Sequence, residues 1–149
     1  TPVADSHSIP TGEYAEVAGT PMDFTTPKRI GQDIDADFQQ LKFTGGYDHN
    51  YVTDNYAKGS HRLIATAYSD KSKIAMDVTS DCPCVQFYAA NFVDNEKGKG
   101  GHIYNKREAF CLETQVEPNA VNTENFHSPV LEAGEQYDSN TSYRFYIKD

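Results

Sequence analysis

A chain of 149 residues with 38% hydrophobic content, 10 Tyr and 8 Phe carries enough apolar material for one domain with a sizeable core, which excludes a disordered polypeptide. A formal net charge of −9 excludes the basic surface that a nucleic-acid partner requires. No apolar run approaches the roughly 18 residues of a helical membrane span, so the chain reads as soluble, with no membrane partner.

Three cysteines, Cys82, Cys84 and Cys111, form an odd set without framework spacing, which points to reduced thiols in a cytoplasmic compartment. No signal peptide precedes them. The opening at Thr1 rather than Met reads as a segment removed or as a fragment of a longer protein.

In chain order, Ile9-Pro10-Thr11-Gly12-Glu13 predicts a turn, with a short strand at 14–17 behind it. Residues 30–41 predict a helix, because Ile30, Ile34, Phe38 and Leu41 recur at helical spacing. Asp33, Asp35 and Asp37 would then occupy its wet side. Beyond Gly45-Gly46 the chain reads as strands and turns. Strands are expected at 47–53, 61–69, 73–79, 84–92 and 109–115, with a turn at 69–72 and a glycine-rich loop at 94–101. Residues 129–132 and 142–148 predict a last strand pair. Repeated strand–turn–strand units without helices between them predict an antiparallel β-sandwich.

Several motifs fail on inspection. DIDAD at 33–37 opens like a calcium loop, but Phe38 stands where glycine is needed and Thr44 where glutamate is needed. KGKGG at 97–101 lacks the Lys-Ser/Thr and helix of a phosphate loop. Cys82-Pro83-Cys84 has neither redox spacing nor a second ligand pair, so a structural role is the expectation. Asn140-Thr141-Ser142 matches a glycosylation sequon, a chance match in a chain with cytoplasmic cysteine usage.

Three polar residues survive. Glu113 is the one carboxylate in the apolar and neutral run AFCLETQ (109–115), where a buried acid carries a desolvation cost unless something uses it. Asp48 lies in GGYDHN, and Gln86 lies in the aromatic run CVQFYAANF. An acid, an amide and aromatic faces suit a pyranose, whose hydroxyls want planar partners and whose C–H faces want aromatic surface. The plainer readings are a turn aspartate at Asp48, a solvent-facing edge residue at Glu113 and a wet strand residue at Gln86. His49 reads as structural rather than as a general acid.

At these residues the chain resembles the aldose 1-epimerase, or galactose mutarotase, family. IPTGE, GTPMDF with PKRIGQDI, GYDHNYV, VQFYAANF, GKGGHIYNKREAFCLETQ and NAVNTENFHSPVLEAGEQY look like successive family blocks in order, from about Ile9 to Phe145. The resemblance implies a large, mostly antiparallel β-sandwich with an open sugar cleft, of which residues 1–149 are a C-terminal partial domain. It implies that Glu113 takes the proton from the anomeric hydroxyl of an aldohexose such as galactose or glucose, while Asp48 and Gln86 bind the sugar. A histidine would protonate the ring oxygen, and no metal or organic cofactor is implied.

The family's two active-site histidines precede the IPTGE block. None of His7, His49, His61, His102 or His127 stands in a matching context. The expectation is a chain that lacks its general acid, is inactive alone, and offers open edges and apolar faces to the N-terminal half of its domain or to a second copy. Three other readings compete. A non-catalytic carbohydrate-binding module would also lack the histidines. A glycosidase would pair Asp48 with Glu113 but leaves the ordered blocks unexplained. A sugar-phosphate mutarotase is disfavoured by the chain's acidity.

Overall fold

The computed structural model describes residues 1–148. Its strands are β1 (Pro2–Ala4), β2 (Pro10–Tyr14), β3 (Asp48–Val52), β4 (Arg62–Tyr68), β5 (Ile74–Ser80), β6 (Cys84–Tyr88), β7 (Glu96–Lys97), β8 (Ile103–Tyr104), β9 (Cys111–Gln115) and β10 (Thr141–Ile147). Among the described residues the α-helix content is one short helix, α1 (Gln39–Thr44), with three 3-10 turns elsewhere. The architecture is mainly β. The chain forms two compact units, Thr1–Tyr51 with Gln86–Glu113, and Val52–Val85 with the residues from Thr114 onward.

In the first unit β1 and β2 pair antiparallel, Pro2 opposite Tyr14 and Ala4 opposite Pro10. Residues 10–13 are therefore strand rather than turn. The turn lies just before it, where the Asp5 carboxylate accepts the backbone N–H groups of His7 (2.8 Å) and Ile9 (3.0 Å). β3, β6 and β9 form a sheet in the order β3-β6-β9, and residues 48–51, 86–88 and 111–113 of it belong to this unit. The core is Met22, Ile34, Leu41, Tyr47, Phe87 and Ala89, with Phe24, Tyr51 and Leu112 packed against it. The Tyr47 and Phe87 rings stack at 5.3 Å, and Phe24 meets both edge-on. The Tyr47 hydroxyl donates to the Pro21 carbonyl at 2.8 Å, and burial pushes its pKa up to about 12.

The helix expected over 30–41 is a 3-10 turn at Ile30–Gln32, a loop, and then α1. Its apolar residues do reach the core: Ile34 and Leu41 are buried, and Ile30 and Phe38 pack beside them. The aspartates break the helix, because each pairs with a different cation in place of lining one face. Asp33 meets Lys28 (2.9 Å), Asp35 meets the Arg107 guanidinium through two bonds (2.7 and 2.8 Å), and Asp37 meets Lys42. α1 ends on Gly45, in the left-handed region at φ 64°, and the Gly46 N–H closes on the Leu41 carbonyl at 3.0 Å. Gly46 has φ 138°, and a Cβ there would run into the Asn91 side chain. This pair of glycines turns the chain from helix into β3.

His49 is buried behind that turn. Its Nδ1 accepts the Asp48 N–H at 3.0 Å, and its Nε2 lies 3.3 Å from the Gln40 carbonyl of α1, which fits a neutral ring protonated at Nε2. Desolvation holds its pKa below the ordinary imidazole value.

In the second unit the sheet order is β10-β5-β4, both pairs antiparallel. β4 and β5 join through the expected turn, with the Ser69 N–H on the Ile74 carbonyl at 2.9 Å. The expected pairing of 129–132 with 142–148 does not form. β10 runs instead along β5, from Thr141 opposite Ser80 to Ile147 opposite Ile74. Asp81 dictates this choice: its carboxylate accepts the Asn140 N–H at 3.0 Å and the Ser139 hydroxyl at 3.0 Å, which starts β10 beside the end of β5. β10 leaves Tyr143 (47%), Phe145 (65%) and Ile147 (65%) exposed on one face. The expected loop at 94–101 contains β7, which pairs with β8.

Gly46→Ala is expected to destabilise the chain by about 1–3 kcal/mol in chemical denaturation, because both its φ and the Asn91 contact oppose a Cβ. His49 generates a pH prediction. Its folded pKa lies below the unfolded value of about 6.5, so the native state binds fewer protons. Its contribution is full above about pH 6.5 and is lost as pH falls through the folded value. Thermal melts from pH 7.5 to 5 should show a steeper loss of stability for the wild type than for His49→Gln; parallel curves would count against it.

Candidate functional site

Alternation along the β3-β6-β9 sheet decides which side chains share a face. Tyr51, Phe87 and Leu112 point into the core of the first unit. By the period of two, Asp48, Gln86 and Glu113 stand on the other face, one from each strand. The Gln86 Nε2 donates to the Asp48 Oδ1 at 2.8 Å. That bond fixes the amide flip, leaves the Gln86 carbonyl oxygen pointing away from the acid, and keeps Asp48 Oδ2 as an acceptor. Asp48 and Gln86 are half-buried, a setting in which hydrogen bonds to a ligand are not fully competed by water.

Glu113 departs from its expectation in one respect. It is exposed, not sunk in an apolar strand, because Leu112 takes the core side. The desolvation argument from the AFCLETQ run therefore does not apply to this chain. The carboxylate does act on its own strand. Burial first, and the Glu113 charge second, push the Cys111 thiol above its ordinary pKa.

The histidines of the first unit are occupied elsewhere. His7 lies in the Asp5 turn, His49 serves α1, and His102 lies against Tyr104 (4.6 Å) and 3.7 Å from Glu108. A groove of this unit, about 350 Å³ and lined by Ile34, Asp35, Arg107 and Phe110 among others, includes none of Asp48, Gln86 and Glu113. The three polar residues occupy a sheet face rather than a closed pocket, a surface geometry suited to a flat polyhydroxylated ring.

One constellation escaped the sequence reading. In the second unit Cys84, Glu117 and His127 come together, with Glu117 fully buried and both of its carboxylate oxygens 3.0 Å from His127 Nδ1. The signal available in sequence was a lone acid between Val116 and Pro118, and nothing linked it to a histidine ten positions on. Among the described residues this is the group whose donor set could hold a metal ion. No helix there is long and apolar enough to cross a membrane.

Comparison with known proteins identifies the family. The aldose 1-epimerase family model matches residues 1–144. The galactose mutarotases of Bos taurus and Homo sapiens are each 39% identical to this chain over 96% of its length, and the aldose 1-epimerase of Escherichia coli strain K12 is 33% identical over 95%. The chain spans only 40–41% of the length of these relatives. A solved GalM/aldose epimerase homologue from C. elegans superposes on 99% of the chain and 43% of its own, with a TM-score of 0.79 at 26% identity. The galactose 1-epimerase of Lactobacillus acidophilus shares the fold over 97% of the chain, with a TM-score of 0.66. With its antiparallel sheets and a family match over nearly its whole length, the chain belongs to the aldose 1-epimerase family.

Proposed function

We propose that this chain carries the base and part of the sugar-binding face of an aldose 1-epimerase that interconverts the α and β anomers of an aldohexose such as galactose or glucose. The observation that carries the reading is the Gln86–Asp48 hydrogen bond of 2.8 Å on the same sheet face as Glu113, in a chain of this family. Glu113 takes the proton of the C1 hydroxyl. The C1–O5 bond breaks as C1 becomes the aldehyde carbon, and its electron pair passes to O5, which takes a proton from an acid. Rotation about C1–C2 and re-addition of the O5 hydroxyl to the other face of C1 give the opposite anomer; O5 gives its proton back to the acid's conjugate base as it adds, and Glu113 returns its proton to the C1 oxygen. Asp48 and Gln86 hold ring hydroxyls so that C1 stays over the base.

The acid in this scheme is a histidine outside these 149 residues. Both compact units then belong to one partial domain of the mutarotase type, and the exposed Tyr143, Phe145 and Ile147 face is where the remaining part of the parent domain packs, or where a second copy does so. Cytoplasmic residence fits three cysteines that form no disulfide among the described residues.

Polarimetry on freshly dissolved α-glucose tests the division of labour. The isolated chain should leave the spontaneous rate unchanged, whereas in the longer parent protein Glu113→Gln should lower the catalysed rate by on the order of 10²- to 10⁴-fold. Full catalysis by the isolated chain, or an unaffected Glu113→Gln parent, would overturn the reading. Sugar binding without any catalysis in the parent would instead favour a non-catalytic carbohydrate-binding module. Sedimentation of the isolated chain should show self-association that rises with concentration and weakens in Phe145→Ser; a strictly monomeric species at high concentration counts against the apolar face as a packing surface.

A further inference from the structure

The second unit holds a buried cluster that anomer exchange does not use. Cys84 opens β6 and is fully buried, Glu117 follows β9 at 1% exposure, and His127 lies half-buried with its ring edge-on to Tyr56 at 5.0 Å. One donor atom from each, a sulfur, a carboxylate oxygen and an imidazole nitrogen, lies within 4.8 Å of the others. The His127 backbone N–H also donates to Glu117 Oε2 at 3.1 Å, which holds the carboxylate and the ring in one orientation.

Charge and distance both bear on what such a cluster is for. A buried carboxylate requires compensation, and one imidazolium supplies it only below the ring's pKa. A thiol packed in the same place is a second potential anion, which an imidazolium cannot also neutralise. A divalent cation balances one thiolate and one carboxylate, with neutral imidazole as the third donor, and the buried cluster is then neutral overall. Metal–ligand bonds of about 2.0–2.3 Å in tetrahedral geometry set donor atoms about 3.3–3.8 Å apart. The separations here, from 3.0 Å between Nδ1 and the carboxylate oxygens to 4.8 Å at most, straddle that range. Nearby Arg62 directs its donors to Thr53 and the Cys82 carbonyl and lies over the Tyr56 ring.

We propose that Cys84, Glu117 and His127 form a three-ligand zinc site, with the fourth position open to water on the His127 side. Sulfur, nitrogen and oxygen donors in one set suit zinc, whereas magnesium and calcium call for oxygen alone. The ion ties the start of β6 to the stretch after β9 that carries both Glu117 and His127. Binding releases the thiol proton, so affinity rises with pH.

Cobalt titrated into the metal-stripped, reduced 149-residue chain reports on the site directly. The expected result is a thiolate-to-cobalt charge-transfer band with strong visible bands of tetrahedral type, both displaced by one equivalent of zinc, and a higher melting temperature with zinc bound. Cys84→Ser should abolish the charge-transfer band, and His127→Gln should weaken zinc binding on the order of 10-fold or more. Cys82→Ser and Cys111→Ser should leave both unchanged. Absence of the band in the wild-type chain overturns the proposal, as does a band that survives Cys84→Ser but is lost in Cys111→Ser, the mark of a surface thiol. Should Cys84→Ser fail to fold by circular dichroism, His127→Gln decides, because its ring is half-exposed; unchanged zinc affinity in that variant means a Glu117–His127 ion pair only.

Discussion

The stacking of Tyr47 on Phe87 is the contact on which the candidate site depends. It joins the entry to β3 with the middle of β6, and the Tyr47 carbonyl takes the Ala89 N–H at 2.9 Å and the Asn91 side-chain N–H at 2.8 Å. With both rings committed to the core, the neighbouring residues Asp48 and Gln86 have no choice of face. A slip of one residue in either strand would bury the acid and expose a ring. The hydrogen bond between Asp48 and Gln86 is thus a consequence of apolar packing on the opposite side of the sheet.

The same logic explains how the helix–turn before β3 serves the site. Gly45 and Gly46 supply backbone conformations that other residues adopt only under strain, and Gly46 lets Asn91 approach close enough to cap the Tyr47 carbonyl. His49 is held on the core side by Gln40, and its neutral state follows from burial. Histidine chemistry on the face that carries Asp48 therefore has no source in this residue, although it is adjacent to Asp48 in sequence.

The two units differ in what they leave uncovered. The first encloses an aromatic core of its own. The second presents a sheet with three large apolar side chains of β10 exposed, and it buries a carboxylate, Glu117, that most proteins keep at the surface. Both features fit a chain that spans about 40% of its relatives' length. A buried acid is tolerated only where its charge is matched locally.

Alternating apolar residues and turn signals were enough to locate β3 to β6 and β9, because a period of two and a Ser-Asp-Lys-Ser turn are local properties. The ordered family blocks were equally legible, and with them Asp48, Gln86 and Glu113 as the residues to examine. Tertiary structure decided what local patterns leave open. It broke the 30–41 helix, because Asp33, Asp35 and Asp37 found three separate cations, one of them Arg107 from a distant loop. It paired β10 with β5 rather than with 129–132, because the Asp81 carboxylate captured Ser139 and Asn140. It exposed Glu113 by giving Leu112 to the core, and it brought Cys84 of β6 beside Glu117 and His127 of the stretch after β9. Ion pairs, strand partners and ligand clusters are relations between positions far apart in the chain, and no periodicity within one segment encodes them.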